Sequence, residues 1–506
     1  MKNRKLLNSS VMAAVIASAA LAQTPLPDRP DPREIPLPPI KTNLGSLPGV
    51  NDLPVRPEMP DALLLNDGTK VTTVEQFKKR QQEIRTILEY YHVGRMPPPP
   101  GNVKGTEVKS QDVTIDGQMK YRYRLIHLTF GPEEKLSLDV GIMAPVEGGP
   151  FPAVIQFGGA VPGGAQFSRL GPGPMESRGM DILLPPEMAL AEAASNAGNV
   201  GAAPSGGRGN RGGPPGQAAR GDAPAGPATG GRGGFGGGGT AEALATRAAP
   251  VLNHGFAFVT FNTNDCAEDT TLRLPDGSFA FRSTRFIAAY PGYDWGIIGG
   301  WVWGAMRVVD YLQVDTVVDK TKLIITGVSR HGKAAMIAGS FDDRIALVAP
   351  GASSGLGTPA YRFSGGATTT QPSRGEKEGL TLMVRKYGNQ FSPHLHQFWG
   401  QPDKLPYDAH WFPALTAPRP FIMLEGTRDQ NVVHNGIKQT WLAAQSSYAL
   451  FKATDKLGVY WADRPHGFGE TDWDGLLAFA DKHLLGKRVS RAFDLFPADP
   501  EATANK

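Results

Sequence analysis

The stretch 321–339, TKLIITGVSRHGKAAMIAG, holds the residues whose types and spacing suit a chemical reaction. Its apolar, β-branched run predicts a buried strand, and its Ala-rich end predicts a helix. Ser329 lies between the two, with Gly327 before it and Gly332 after it. Such a turn exposes the serine hydroxyl, and the N-terminus of the helix favours negative charge at an oxyanion. The pattern therefore predicts that Ser329 is a nucleophile for acyl transfer and that the backbone N–H of Arg330 lines the oxyanion hole.

A serine nucleophile needs a base that accepts its proton and an acid that orients the base. In α/β-hydrolases, where the serine lies on a strand-to-helix turn of this kind, the acid and then the histidine follow it along the chain. His466 lies in the Gly/Pro-containing loop 463–469, directly before the last predicted helix. That is where the fold carries its base, so we expect His466 to accept the proton of Ser329.

Strand and helix patterns alternate from residue 61 to residue 490. Two runs with alternating apolar residues, 121–130 and 136–143, predict antiparallel strands at a sheet edge. The remaining patterns predict buried strands at 151–157, 254–261, 344–350 and 418–425, and helices at 297–312 and 473–485. Strands that alternate with helices predict one α/β domain with a mostly parallel sheet. Together with the serine turn, this predicts the three-layer sandwich of the α/β-hydrolase fold.

Residues 1–22 have the features of a signal peptide. Lys2, Arg4 and Lys5 give a basic start, an apolar run follows, and Ala20-Leu21-Ala22 is an A-x-A cleavage site. The apolar run is too short to span a membrane, and no other segment is long enough. We therefore expect a secreted or periplasmic protein that does not bind a membrane.

The rest of the chain divides by composition. Residues 23–60 are rich in proline, which predicts an extended N-terminal arm. Residues 61–490 are expected to form the catalytic domain, and residues 491–506 a C-terminal tail. Within the domain, residues 195–240 are mostly Gly, Ala, Pro and Arg. So few large apolar groups cannot offset the entropy of ordering, and this insertion is predicted to be disordered.

Composition also argues against several classes of protein. A formal net charge of +4 over 506 residues does not indicate a nucleic-acid binder, and the Arg/Gly-rich insertion contains a single aromatic residue, Phe235. Cys266 is the only cysteine, so the chain cannot form an internal disulfide and its stability depends on core burial. The sequence lacks an H-E-x-x-H motif and a Cys/His cluster, which predicts no metal and no cofactor. We expect a monomer.

The pattern Gly-x-Ser-Arg-x-Gly-Lys at 327–333 resembles that of the glucuronoyl esterases, carbohydrate esterase family 15, in its bacterial type. The resemblance extends to YYHVGRMPPPPGNV (90–103), YDWGIIGGWVWGAMRVVDYLQVD (293–315) and PHGFGETDWDGLLAFADKHL (465–484). It implies an α/β-hydrolase fold and an exported serine esterase. Such an enzyme hydrolyses the ester between 4-O-methyl-D-glucuronic acid of glucuronoxylan and lignin alcohols. The expected partner is thus glucuronoxylan or another lignin–carbohydrate ester.

The resemblance also bears on the acid, because the family uses two positions for it. At the first, after the strand that follows the nucleophile helix, Ser353 stands where some members carry Glu. At the second, after the strand 418–425, Asp429 keeps register with members that carry Asp. The resemblance therefore implies Asp429 as the acid, with Glu425 as the alternative. Turn capping is another role that suits Asp429.

Substrate-binding residues are implied by the resemblance alone. The guanidinium of Arg330 is implied to stabilise the developing oxyanion. Lys333 matches a lysine that binds sugar hydroxyls, and Glu376 resembles a glutamate that binds the uronate. Asn431 occupies the place of a tryptophan that stacks on the sugar.

Two other functions stay open, and the missing tryptophan permits the first of them. An acetyl-xylan-type or general carboxylesterase would not need a stacking residue. A non-catalytic carbohydrate-binding relative would keep the pocket without the chemistry. The complete set of serine, histidine and acid argues against the second of these.

Overall fold

The computed structural model describes residues 47–115, 119–165, 239–271, 279–363 and 378–497. Within these ranges nine strands pair into one sheet. Numbered along the chain, they are β1 (Lys104–Ile115), β2 (Met119–Phe130), β3 (Leu136–Pro145), β4 (Phe151–Phe157), β5 (Ala257–Phe261), β6 (Val318–Val328), β7 (Ile345–Gly351), β8 (Phe421–Gly426) and β9 (Leu457–Ala462). Their spatial order is β1-β2-β3-β5-β4-β6-β7-β8-β9.

The sheet is antiparallel at one end and parallel over the rest. The pairs β1–β2, β2–β3 and β3–β5 are antiparallel. The pairs β5–β4, β4–β6, β6–β7, β7–β8 and β8–β9 are parallel. The prediction of a mostly parallel sheet with antiparallel strands at its edge is confirmed.

Helices cover both faces of this sheet. They are α1 (Val74–Leu88), α2 (Ala241–Asn253), α3 (Arg285–Ala289), α4 (Ile297–Leu312), α5 (Arg330–Phe341), α6 (Leu380–Tyr387), α7 (Trp411–Thr416), α8 (His434–Ala449) and α9 (Glu470–Leu484). Helices α4 and α5 contribute Trp301 and Met336 to the apolar core on one face. Helices α2 and α9 contribute Leu244 and Leu476 to the core on the other face. The result is the predicted three-layer arrangement.

Strand β6, which leads to the serine turn, is buried on both faces. Leu323 and Ile325 pack into one core, and Ile324 packs into the other. All three side chains are fully buried. A central parallel strand is covered by helices on both sides, which is why its sequence is a continuous apolar run rather than an alternating one.

The described ends of the chain pack against the domain. Val50 is fully buried, and its N–H donates to Gln397 Oε1 at 2.7 Å. Near the other end, the N–H of Val459 donates to the carbonyl oxygen of Phe493 at 2.7 Å. Both segments therefore contribute contacts to the core, although one lies in the predicted arm and the other in the predicted tail.

Several predicted segments lie outside the described residues. These are the signal peptide 1–22, residues 23–46 of the arm, residues 195–238 of the insertion and residues 498–506 of the tail. Of that insertion, Thr240 is described, and its Oγ1 caps α2 by accepting the N–H of Ala243 at 3.2 Å. In the part of the chain that the structure describes, no helix combines the length and apolarity needed to cross a bilayer.

Candidate active site

Ser329 lies on a tight turn between β6 and α5, with φ 59° and ψ −125°. This is a backbone conformation that non-glycine residues rarely adopt. The N–H of Ser329 donates to the carbonyl oxygen of Gly351 at 3.0 Å, and its own carbonyl accepts the N–H of Lys333 at 3.0 Å. The two glycines of the motif allow the turn. A Cβ on Gly327 would lie 2.4 Å from the carbonyl oxygen of His331, and one on Gly332 would lie 2.5 Å from that of Gly351.

The parallel strands bring the ends of several loops to one edge of the sheet. Val328 at the end of β6 pairs with Gly351, and Gly351 pairs with Leu424 in β8. Gly426 at the end of β8 pairs with Ala462 at the end of β9. Because these strands are parallel, the loops that follow them emerge at the same edge. Ser329, Asp429 and His466 lie in the segments that follow β6, β8 and β9.

His466 and Asp429 form a hydrogen-bonded pair. His466 Nδ1 lies 2.7 Å from Asp429 Oδ2. Asp429 is almost fully buried, and its Oδ1 accepts the N–H of Asn431 at 2.9 Å. The side chain of His466 is about one-third exposed, at 32 %. A buried carboxylate on Nδ1 holds the proton there and leaves Nε2 free to accept a proton from a nucleophile.

The loop that carries His466 approaches the serine turn through Phe468. A Cβ on Gly351 would lie 2.8 Å from the Phe468 ring, and Gly351 is the residue whose carbonyl binds the N–H of Ser329. Ser329 Oγ and His466 are not hydrogen-bonded to each other among the described contacts. In unliganded sites this contact often tightens only when the substrate binds.

Glu425, the alternative acid, faces a different set of groups. It is fully buried in β8, and its Oε1 accepts a hydrogen bond from Thr358 Oγ1 at 2.7 Å. Thr358 Oγ1 is also 2.8 Å from Ser353 Oγ, which accepts the N–H of Thr358 at 3.0 Å. Burial raises the pKa of Glu425 to about 8. The structure therefore places Asp429 on His466, whereas Glu425 and Ser353 belong to a separate buried chain of hydrogen bonds.

Arg330 and Lys333 both project from the first turn of α5. Arg330 Nη1 donates to Asp269 Oδ2 at 2.5 Å. Lys333 is buried, with Nζ 3.4 Å from Ser354 Oγ and 3.9 Å from Glu378 Oε2. Burial lowers the pKa of Lys333 to about 8. Lys333 is thus held among polar groups beside the serine turn and is not solvated on the helix surface.

The predicted uronate-binding residue, Glu376, lies outside the described residues. Glu378, two positions later, accepts a hydrogen bond from Ser354 Oγ and lies near Lys333 Nζ. The sequence pattern did not indicate Glu378, because nothing in the local sequence links it to a lysine 45 positions earlier. A buried lysine needs an acidic partner nearby. The need for such a partner of Lys333 was the one signal that could have indicated Glu378.

The loop after β4 packs against the helix that follows Ser329. Gly158 has φ +75°, and a Cβ there would lie 2.2 Å from the ring of His331. His331 Nε2 is 3.1 Å from Thr263 Oγ1, and burial lowers the pKa of His331 to about 3. His331 is therefore neutral and acts as a packing partner of this loop. Across the described residues, no group of three or more His, Cys, Asp or Glu side chains is arranged to hold a metal ion.

Comparison with known sequences relates the chain to one family. The family model described as "Glucuronyl esterase, fungi" matches residues 241–457. A prokaryotic relative, carbohydrate esterase MZ0003, is 29% identical over 237 residues, which cover 42% of this chain and 52% of the relative. The 4-O-methyl-glucuronoyl methylesterase of Phanerochaete carnosa is 32% identical over 210 residues, covering 38% of this chain and 48% of the relative. The chain thus spans about half the length of these curated relatives.

Comparison with solved structures relates the fold to the same group. The catalytic domain of a glucuronoyl esterase from Hypocrea jecorina has a TM-score of 0.60 and 21% identity, covering 90% of this chain and 95% of that chain. A glucuronoyl esterase from Caldicellulosiruptor kristjansonii has a TM-score of 0.57 and 23% identity, covering 88% of this chain and 95% of that chain. One from Sporotrichum thermophile, in complex with methyl 4-O-methyl-β-D-glucopyranuronate, has a TM-score of 0.57 and 20% identity. The match covers 89% of this chain and 95% of that chain. The predicted α/β-hydrolase fold is confirmed.

Proposed function

We propose that the chain is an exported serine esterase, because it belongs to the glucuronoyl esterase family, carbohydrate esterase family 15. Its proposed substrate is the ester between 4-O-methyl-D-glucuronic acid of glucuronoxylan and lignin alcohols. The single observation that carries the proposal is the Asp429–His466 pair, which lies at the same sheet edge as the strained Ser329. Export is inferred from residues 1–22. The protein is further proposed to act as a monomer and to bind neither nucleic acid nor a membrane.

In the acylation step, Ser329 Oγ attacks the ester carbonyl carbon while His466 Nε2 takes the hydroxyl proton. Asp429 holds the proton on Nδ1 and stabilises the imidazolium that forms. The tetrahedral intermediate then collapses. The bond to the alcohol oxygen breaks, the alcohol takes the proton from His466, and the glucuronoyl group remains on Ser329.

The oxyanion of the intermediate needs fixed hydrogen-bond donors. The backbone N–H of Arg330, the residue after the nucleophile, is one donor that this fold supplies. The guanidinium of Arg330 is a second, and its positive charge adds to the field of the α5 N-terminus. Removal of one such donor typically lowers kcat by about 10²–10³-fold.

In the deacylation step, the same groups work in reverse. His466 takes a proton from water, and the hydroxide attacks the acyl carbon. Ser329 leaves with a proton from His466, and the glucuronoxylan is released with the carboxyl group of its uronic acid free. No group beyond the serine, histidine and acid is needed to balance the protons.

Recognition of the sugar is assigned to the buried polar groups beside the serine turn. Lys333 and Glu378, which lie 3.9 Å apart, offer a donor and an acceptor for sugar hydroxyls. Glu376 stays a proposed contact of the uronate. Asn431 supplies no aromatic face, so the sugar is bound by hydrogen bonds rather than by stacking.

Asn431 also favours the second candidate, an acetyl-xylan-type or general carboxylesterase. The two candidates differ in whether the acyl group must be a uronate. The test compares kcat/KM for a benzyl ester of glucuronic acid with that for an aryl acetate. We expect a strong preference for the glucuronate ester. Equal or better turnover of the acetate favours the general carboxylesterase, and turnover of neither ester favours a non-catalytic carbohydrate-binding protein.

A further inference from the structure

The segment 262–271, which follows β5, is held against the helices beside the serine turn. Trp301 Nε1 donates to the carbonyl oxygen of Ala267 at 2.8 Å. Asn389 Nδ2 donates to the carbonyl oxygen of Thr270 at 2.6 Å. The N–H of Asp269 donates to Asn264 Oδ1 at 3.0 Å. Long-range hydrogen bonds on both sides of Asp269, together with the bond from its own N–H to Asn264, therefore hold its backbone in place.

Glycines in α4 allow this segment to approach closely. A Cβ on Gly300 would lie 2.6 Å from the Cβ of Ala267. A Cβ on Gly304 would lie 2.3 Å from the Sγ of Cys266. Real Cβ atoms do not make contacts this short, so the glycines are what let the segment lie directly on the helix. Their effect is to bring the buried carboxylate of Asp269 to the start of α5.

Asp269 forms a short ion pair with the residue that follows the nucleophile. Arg330 Nη1 lies 2.5 Å from Asp269 Oδ2, and the side chains of Arg330 and Asp269 are 25 % and 8 % exposed. The Arg330 guanidinium makes no other hydrogen bond to the described residues. Its remaining N–H groups are therefore available to bind an oxyanion. An arginine in the first turn of a helix is unfavourable beside the positive end of the helix dipole, and the carboxylate offsets that cost.

We propose that Asp269 is a positioning residue that holds the Arg330 guanidinium in one orientation beside Ser329. The inference rests on the proposed function, in which Arg330 stabilises the oxyanion. A free arginine side chain samples many rotamers, and ordering it during the reaction would raise the barrier. An ion pair to a rigid, buried carboxylate orders the side chain before the substrate arrives.

The carboxylate has an opposing effect as well, because it neutralises part of the positive charge that the oxyanion would feel. The ordering effect of Asp269 on the Arg330 side chain is the larger of the two. Asp269→Asn, which keeps the shape but removes the charge, is then expected to lower kcat by about 10–100-fold with little change in KM. If the opposing effect were larger, the same variant would be as fast as the wild type or faster.

A double-mutant cycle tests whether Asp269 acts through Arg330. We expect Arg330→Gln to lose more activity than Asp269→Asn, and the double variant to be no slower than Arg330→Gln alone. Asp269→Glu, which keeps the charge, should recover part of kcat. Losses that multiply in the double variant, or wild-type kcat in Asp269→Asn, would overturn the proposal. If Asp269→Asn unfolds, Asp269→Ser replaces it in the cycle, and a folded Asp269→Ser with wild-type kcat would overturn the proposal too.

Asp315→Asn is the matched control for loss of a buried Arg–Asp pair. The side chain of Asp315 is almost fully buried, and its Oδ2 lies 2.8 Å from Arg124 Nη1, on the antiparallel side of the sheet. This variant should lower the melting temperature and leave kcat unchanged. The cycle is measured on whichever ester the wild type hydrolyses. A wild type that turns over only aryl acetate contradicts the proposed substrate, whereas an additive cycle contradicts the role of Asp269.

Discussion

At the scale of single residues, the backbone of Ser329 has a conformation that suits its proposed role as a nucleophile. A φ of 59° costs a non-glycine residue on the order of 1–3 kcal/mol. The hydrogen bond from its N–H to Gly351 and the close contact of Gly332 with the same carbonyl hold this conformation. Gly332 is therefore needed three positions after Ser329, where a side chain would collide with this carbonyl oxygen.

The choice of acid is also decided by single residues. Asp429→Asn is expected to lower kcat by about 10³–10⁴-fold, because an amide does not hold the proton of His466 on Nδ1. Glu425→Gln and Ser353→Ala should keep kcat within a few-fold of the wild type, since neither residue contacts His466. Measured kcat values on one ester check this. An inactive Glu425→Gln beside an active Asp429→Asn would reverse the assignment.

Some of these residues were predictable and others were not. Ser329 and His466 follow from a local motif and from the order in which this fold presents its groups. Asp269 and Glu378 do not, because their partners are distant in the sequence, 61 positions in the case of Asp269 and Arg330. Burial and charge pairing at such separations depend on how the elements pack, which local patterns do not specify.

At the scale of elements, the predictable parts were those with strong apolar patterns. Strands β4 and β8 and helices α4 and α9 lie close to their predicted bounds, and β6 contains the apolar run that was predicted as a strand. Strand β1 gave no signal because most of its residues are exposed, so it lacks apolar alternation. The sequence shows the glycines of α4, but only the structure shows that they let the segment 262–271 pack closely on this helix.

The contact between α4 and the segment that follows β5 gives a prediction about stability. Gly304→Ala should destabilise the protein by about 1–3 kcal/mol, because the added methyl group would lie 2.3 Å from Cys266 Sγ. Cys266→Ala in the same chain should restore part of that loss, since it removes the sulfur. Denaturant unfolding of the two single variants and the double variant measures the coupling. Additive changes would show that the contact relaxes at no cost.

At the scale of the whole molecule, the two cores on either face of the sheet support an edge where buried ionisable groups collect. Glu425 is one of these, and its carboxyl has no cationic partner within hydrogen-bond distance among the described residues. Burial raises its pKa to about 8 from the ordinary value of 4.5. The folded protein therefore keeps a proton that the unfolded chain loses.

This difference predicts how stability changes with pH. Between about pH 4.5 and pH 8 the folded state binds more protons at Glu425 than the unfolded state, so this group lowers stability as the pH rises. The slope from one such group is at most about 1.4 kcal/mol per pH unit. Glu425→Gln should gain stability relative to the wild type from pH 5 to pH 8. Parallel curves of unfolding free energy for the two proteins would contradict this.

The claim on which the rest depends is that Ser329 is the nucleophile of an esterase. Side-by-side measurement of kcat for the wild type and Ser329→Ala on a benzyl ester of glucuronic acid tests it most directly. We expect turnover by the wild type, a loss of about 10⁴-fold or more in the variant, and an unchanged melting temperature. A folded Ser329→Ala that keeps near-wild-type kcat would contradict it.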